Sequence, residues 1–208
     1  MSSDIADQLR AYDGPPVDVV LADPPWFFRN RTPSVWSDRD VRRHYDVMGV
    51  DEIAALPVKQ ILAPDAHLFM WVTGPCLPFA FDVMKAWGFR YSAVGFVWIK
   101  LKKSHDPMQL RFLPTAESDL FVGLGFTTRK NMELCLLARR GSAKRAAKDV
   151  REVILSPIRE HSRKPDEARA RVERYVGPGK VMVELFGRAS APGWTVLGNE
   201  TSKFDAQQ

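Results

Sequence analysis

The chain has 208 residues, with 30 Lys and Arg against 25 Asp and Glu, giving a net charge of +5 and a pI near 9.3. Its 45% hydrophobic and 26% charged fractions are ordinary for a globular protein, and no stretch approaches a membrane span or a signal-like apolar run. Cys76 and Cys135 are too few for a disulfide framework or zinc motif, and His44, His67, His105 and His161 lack ligand spacing, so a cytoplasmic, metal-free protein is expected.

In chain order, the polar residues before Gly14 read as a short tail, as do residues 201–208, leaving a single domain over 14–200. Val17 to Ala22 (VDVVLA) reads as a short, buried, β-branched strand, followed at once by Asp23-Pro24-Pro25-Trp26. From about Phe27 to Val47 the chain is charged and aperiodic, the profile of a lid or binding loop. A short helix is expected near Asp51, with Glu52 in its first turn. Ala66 to Thr73 (AHLFMWVT) predicts the next strand, and Gly74-Pro75 ends it. Ala80, Val83, Met84 and Trp87 at helical spacing predict a core-facing helix that Gly88 stops.

Phe89 to Lys100 alternates as a strand through Val94, Phe96 and Trp98. A second long loop, with Lys102, Lys103, Pro107 and Pro114, runs to near Arg129. Glu133 to Arg139 and Val153 to Leu155 read as strands. A helix opens at Pro165, with Asp166 and Glu167 in its first turn and Ala168, Val172 and Val176 facing the core. Gly177-Pro178-Gly179 turns into a strand over Lys180 to Phe186, and Trp194 to Leu197 is the last. Alternating strands and helices predict an α/β fold with a mostly parallel sheet.

The Asp23–Trp26 tetrapeptide stands at the carboxyl end of a strand, where open α/β sheets bind ligands. Proline has no N–H, so the Pro24 and Pro25 carbonyls are expected to be free to accept from a ligand. A carboxylate, a carbonyl and a flat ring suit a planar base bearing an amino group. Such an amine is a weak nucleophile because its lone pair is delocalised into the ring. If Asp23 and the Pro24 carbonyl each accept one N–H, the nitrogen pyramidalises, and the positive charge that develops on methylation is stabilised. Trp26 would stack on the base, worth roughly 1–3 kcal/mol. The plainer alternative is a strand-ending turn, in which Asp and Pro are common.

Two basic clusters flank this motif: Arg29, Arg31, Arg39, Arg42, Arg43 and His44, then Lys100, Lys102, Lys103, His105 and Arg111. A nucleic-acid polyanion explains both, and Arg42, Arg43, Lys100, Lys102 and Lys103 are the expected phosphate contacts. Methyl transfer also needs a donor, commonly S-adenosylmethionine. Glu184-Leu185-Phe186-Gly187-Arg188 supplies a strand ending in a glycine that lets backbone approach a ligand, and Asn199 and Glu200 could accept ribose hydroxyls.

Taken together, these blocks resemble the MT-A family of adenine methyltransferases, which includes the catalytic subunit of the eukaryotic mRNA methyltransferase. The resemblance also draws on Leu68 to Gly74, Trp87-Gly88-Phe89, Val97 to Lys100, Glu133, Cys135, Arg163 to Glu167, and Trp194 through Asn199. It implies a Rossmann-like methyltransferase fold of permuted order, catalytic motif first, with S-adenosylmethionine as donor and the adenine 6-amino group as acceptor. By position it gives Asp23, Pro24, Pro25 and Trp26 the catalytic role and Tyr45 a place in the first active-site loop. It puts Asp23, Lys164, Glu184, Leu185, Phe186, Gly187, Arg188, Asn199 and Glu200 around the cofactor. Met132 stands where eukaryotic members often have Lys before the glutamate, with Lys130 or Arg129 as the expected substitute, and Glu200 stands where Gln is usual. The resemblance thus implies a compact DNA adenine methyltransferase of bacterial or phage type; a monomer or homodimer is expected. An RNA adenine methyltransferase or a non-catalytic nucleic-acid-binding subunit are the alternatives.

Overall fold

The computed structural model describes residues 2–26, 48–104, 116–123, 128–160 and 163–205. In chain order they form α1 (Ser2–Arg10), β1 (Val17–Ala22), α2 (Val50–Ala54), β2 (Leu62–Val72), α3 (Leu77–Ala86) and β3 (Arg90–Leu101). There follow β4 (Met132–Arg140), β5 (Val153–Pro157), α4 (Glu167–Val176), β6 (Met182–Leu185) and β7 (Trp194–Leu197). The seven strands make one sheet in the order β5-β3-β4-β2-β1-β6-β7. β4 runs antiparallel to both neighbours, and every other pairing is parallel. This is the expected α/β class with a mostly parallel sheet, consistent with a Rossmann-like methyltransferase fold.

Apart from the half-buried Asp18, β1 is apolar because both of its faces are covered. Val20 and Ala22 join a core layer with residues of α1, α2 and α3, whereas Val19 and Leu21 join a second layer with Ala168, Val172 and Val176 of α4. Large side chains fill both layers, each stabilising by about 1.5–3 kcal/mol when fully buried. Phe69 and Phe96 stack at 5.5 Å in one layer, and Trp87 in the other donates its indole N–H to the Ile53 carbonyl at 2.9 Å. α3 stops where expected: Gly88 takes φ +86°, a conformation that disfavours any residue with a Cβ.

The central strands place the site. β1 and β6 are parallel neighbours with Ala22 opposite Leu185, so the residues that follow each strand emerge side by side. The Asp23 motif and the Phe186-Gly187-Arg188 motif are remote in sequence but share one edge of the sheet.

Some expectations shift. The N-terminal segment read as a tail holds α1, whose Ile5 and Leu9 are almost fully buried in the core. Two apolar residues one helical turn apart suffice to dock it. The C-terminal segment is also engaged, through Phe204, which is 6% exposed and lies under the Arg163 guanidinium. β2 begins at Leu62, ahead of the apolar run, through exposed Pro64 and Asp65. β6 is shorter than expected because Phe186 turns to φ +63°. α4 begins at Glu167, with Pro165 and Asp166 in the turn that leads into it. No described helix is long and apolar enough to cross a membrane.

Candidate active site

Asp23 leaves the end of β1 with its N–H donating to the Leu185 carbonyl of β6 at 3.3 Å. Its Oδ2 accepts from Lys164 Nζ at 2.7 Å, and the same ammonium lies 3.2 Å from Glu133 Oε2 on β4. The other oxygen of Glu133 accepts from Lys100 Nζ on β3. The result is an alternating chain, Asp23–Lys164–Glu133–Lys100, whose side chains are only 14–23% exposed. Two aromatic rings floor it, with Lys164 Nζ 5.8 Å from the Trp71 ring and Lys100 Nζ 4.9 Å from that of Trp98.

Burial is the largest single influence on each group, and ion pairing decides the outcome at two of them. Burial pushes the Asp23 carboxyl above its usual value; Lys164 opposes that shift, and the nearby Glu133 charge adds to it. Burial alone would also raise Glu133, but Lys164 and Lys100 outweigh it and hold this carboxyl low. For Lys164 burial acts downward, and the Asp23 and Glu133 carboxylates overcome it to hold the ammonium above its ordinary range. The Cys135 thiol behind them is driven well up by burial, with Asp23 adding to the shift. Cys135 is therefore a buried packing residue.

The prolines behave differently from the expectation of free carbonyls. The Pro24 carbonyl accepts the Trp26 N–H at 2.8 Å, and the Pro25 carbonyl accepts the Met48 N–H at 2.9 Å. A carbonyl has two lone pairs, so the Pro24 oxygen keeps one for a ligand, while that of Pro25 helps tie Met48 beside Trp26. Trp26 is half-buried, packs on the core, and donates its indole N–H to the Trp71 carbonyl at 2.9 Å. Its ring is thus fixed from behind.

A cavity opens beside Asp23, between the ends of β1 and β6 and the segment leading into α4. Asp23, Lys164, Glu184, Phe186, Gly187 and Arg188 all line it. Arg169 of α4 reaches Glu184 Oε2 at 2.6 Å and the Ala189 carbonyl at 3.2 Å. Burial raises the Glu184 carboxyl, against the pull of Arg169. Gly187 is dictated by space, because a Cβ there would come within 2.4 Å of Val196 Cγ1.

This edge of the sheet decides between a turn and a site, since a mere turn needs no half-buried chain of four charges. The sequence profile of the MT-A70 family matches residues 17–200, from the start of β1 to Glu200. The chain belongs to the MT-A70 family. Among its relatives, the N(6)-adenosine-methyltransferase MT-A70-like protein of Drosophila melanogaster is 31% identical over 185 residues, 88% of this chain and 26% of that protein. The human N(6)-adenosine-methyltransferase catalytic subunit METTL3 is 29% identical over 185 residues, 88% of this chain and 28% of that one. The Type II methyltransferase M.MunI of a Mycoplasma species is 27% identical over 198 residues, covering 88% of this chain and 76% of its own. The chain therefore spans about a quarter of the length of the MT-A70-like relatives and three quarters of M.MunI.

Within this family frame, the residues named from sequence fall into four groups. Asp23, Lys164, Glu184, Phe186, Gly187 and Arg188 meet around the cavity, whereas the Leu185 side chain is fully buried and only its backbone reaches the site. Asn199 and Glu200 stand off the cavity wall, with Glu200 Oε2 3.5 Å from Arg188 Nε. Lys100 is turned onto Glu133 instead of outward, while Lys102 and Lys103 are exposed beyond the end of β3. Arg42, Arg43 and Tyr45 lie outside the described residues.

The cations of Glu133 are Lys100 and Lys164, and Lys130 Nζ bonds Thr128 Oγ1 at 3.3 Å. Sequence reasoning also missed Trp71, Arg163 and Arg169 on the cavity wall. The block Arg163-Lys164-Pro165 was a usable signal for Arg163, but only tertiary contact reveals Arg169 opposite Glu184. Among the described residues no group of His, Cys, Asp or Glu is placed to hold a metal ion.

Proposed function

We propose that this chain is an S-adenosylmethionine-dependent adenine-N6 methyltransferase acting on DNA. The observation that carries the reading is the partly exposed Asp23 carboxylate at the end of β1, ion-paired with Lys164 and opening onto the cavity. The donor set fits the cofactor: the cavity presents two partly exposed carboxylates, Asp23 and Glu184, and the cations Lys164 and Arg169. A zwitterionic amino acid with an adjoining sulfonium offers charges of both signs to such a wall. S-adenosylmethionine, when bound, supplies an electrophilic methyl group.

The residues do the rest. Asp23 and the remaining lone pair of the Pro24 carbonyl accept the two N–H groups of the adenine amine, which turns the nitrogen lone pair outward. Neither has to remove a proton beforehand; the carboxylate stabilises the charge that builds on nitrogen, and the proton leaves afterwards. Lys164 favours the ionised form of Asp23, against the burial that favours its neutral form. Trp26, fixed by Trp71, offers a rigid flank for the base. A duplex substrate would have to extrude its adenine, at a cost of a few kcal/mol.

DNA is favoured because the chain matches three quarters of a relative named a Type II methyltransferase, against a quarter of those named adenosine methyltransferases. RNA is the second reading, favoured by those adenosine methyltransferase names. Incubation with methyl-labelled donor and equal amounts of DNA and RNA oligonucleotides separates them. Label is expected in DNA; label confined to RNA would move the assignment, and label in neither would remove it.

A further inference from the structure

The two loops beside the cavity are bolted together, and the bolt comes from outside the region that matches the family. Phe186, at φ +63°, donates its N–H to the Leu197 carbonyl at 2.7 Å. Gly198 follows at φ +154°, so close that a Cβ there would lie 3.1 Å from Phe186 Cα. The loop after β6 and the turn after β7 therefore move as one unit, with Arg188 and Glu200 reaching across it.

Gln8 of α1 grips that unit at both backbone groups of Gly198. Its Oε1 accepts the Gly198 N–H at 2.9 Å, and its Nε2 donates to the Gly198 carbonyl at 3.2 Å. The glycine adjoins Asn199, and both polar groups of its peptide backbone are matched by one planar amide. Ile5 and Leu9, on either side of Gln8, are buried in the core and fix the helix that carries it. The family match begins at residue 17, beyond this helix.

We propose that Gln8 is a positioning residue for cofactor binding: it holds the Gly198 turn, and through it Phe186, Gly187 and Arg188, in the arrangement that receives S-adenosylmethionine. The inference rests on the methyltransferase reading above. Gln8 touches no reacting atom, so it should act on cofactor affinity and not on the transfer step.

The test uses the full chain and Gln8→Ala. Losing two neutral hydrogen bonds should raise the KM and Kd for S-adenosylmethionine by about tenfold. The kcat at saturating donor and the KM for nucleic acid should stay within about twofold. In the cofactor-free protein, the Gly198 amide should exchange with solvent faster in the variant. Gln8→Glu, which can still accept the Gly198 N–H but cannot donate when ionised, should fall between wild type and Gln8→Ala; it serves as the test if Gln8→Ala does not fold. A fall in kcat with donor KM unchanged would mark a merely structural role and overturn the proposal, as would unchanged donor affinity. A wild-type chain that takes up no donor would overturn the methyltransferase reading and this inference with it.

Discussion

The two edges of the central sheet treat buried ionisable groups in opposite ways. At the carboxyl edge, Asp23, Lys164, Glu133 and Lys100 form a chain of ion pairs in which each meets a partner of opposite sign. At the other edge, beside Asp18 and Lys180, His67 is 4% exposed and its Nε2 has no hydrogen-bond partner among the described residues. Burial, helped by the Arg139 and Lys180 charges, lowers its pKa to about 4, so the ring stays neutral and packs edge-on against Tyr175 at 5.4 Å. A neutral imidazole is tolerated by withholding its proton, whereas a charge in the same setting must be matched. Keeping four charges at one edge is costly, and perturbed groups of this kind concentrate where chemistry happens.

Breaking the chain of charges should have the largest effect. Lys164→Met leaves two half-buried carboxylates short of a cation and should destabilise the fold by up to about 3 kcal/mol. Asp23 must be ionised to act, and its pKa is already raised; without Lys164 it rises further. The acid limb of the rate profile should therefore move to higher pH. A profile whose limb does not move would show that Lys164 has no hold on Asp23.

The silent edge gives the next effect. The unfolded chain binds a proton at His67 near pH 6.5, and the folded chain not until about pH 4. This contribution to stability is complete above pH 6.5 and is lost as pH falls towards 4, by roughly 3 kcal/mol in all. Urea unfolding at pH 7 and pH 5 should show His67→Phe losing less stability on acidification than wild type. Equal losses would mean that the imidazole is not held neutral.

The smallest effect belongs to the exposed lysines. Lys102→Gln with Lys103→Gln should reduce the salt dependence of DNA binding by a slope of about two, with donor affinity unchanged. An unaltered slope would place both outside the nucleic-acid path.

Legibility in the sequence follows the same division between local and remote. β1 and β7 have the expected bounds residue for residue, because short apolar runs with sharp turn residues are set by their neighbours. α1 escaped notice because only Ile5 and Leu9 mark its buried face. Asp23 was legible because the whole motif lies in four consecutive residues. Its partner Lys164 is 141 positions away, and Gln8 lies 190 positions from Gly198. Position in the resemblance suggested Lys164 for the cofactor, yet the ammonium also joins two carboxylates that sequence gave no reason to pair. The occupied Pro25 carbonyl likewise depends on Met48, which is remote from it in sequence.

The account turns on Asp23, and mass spectrometry of nucleosides tests it most directly. DNA incubated with methyl-labelled donor and either the wild-type chain or Asp23→Ala would be digested and its nucleosides quantified. Labelled N6-methyladenine should form with wild type and fall by at least about a hundredfold with the variant, while the variant still binds donor. Equal label from the two proteins would contradict the role given to this carboxylate.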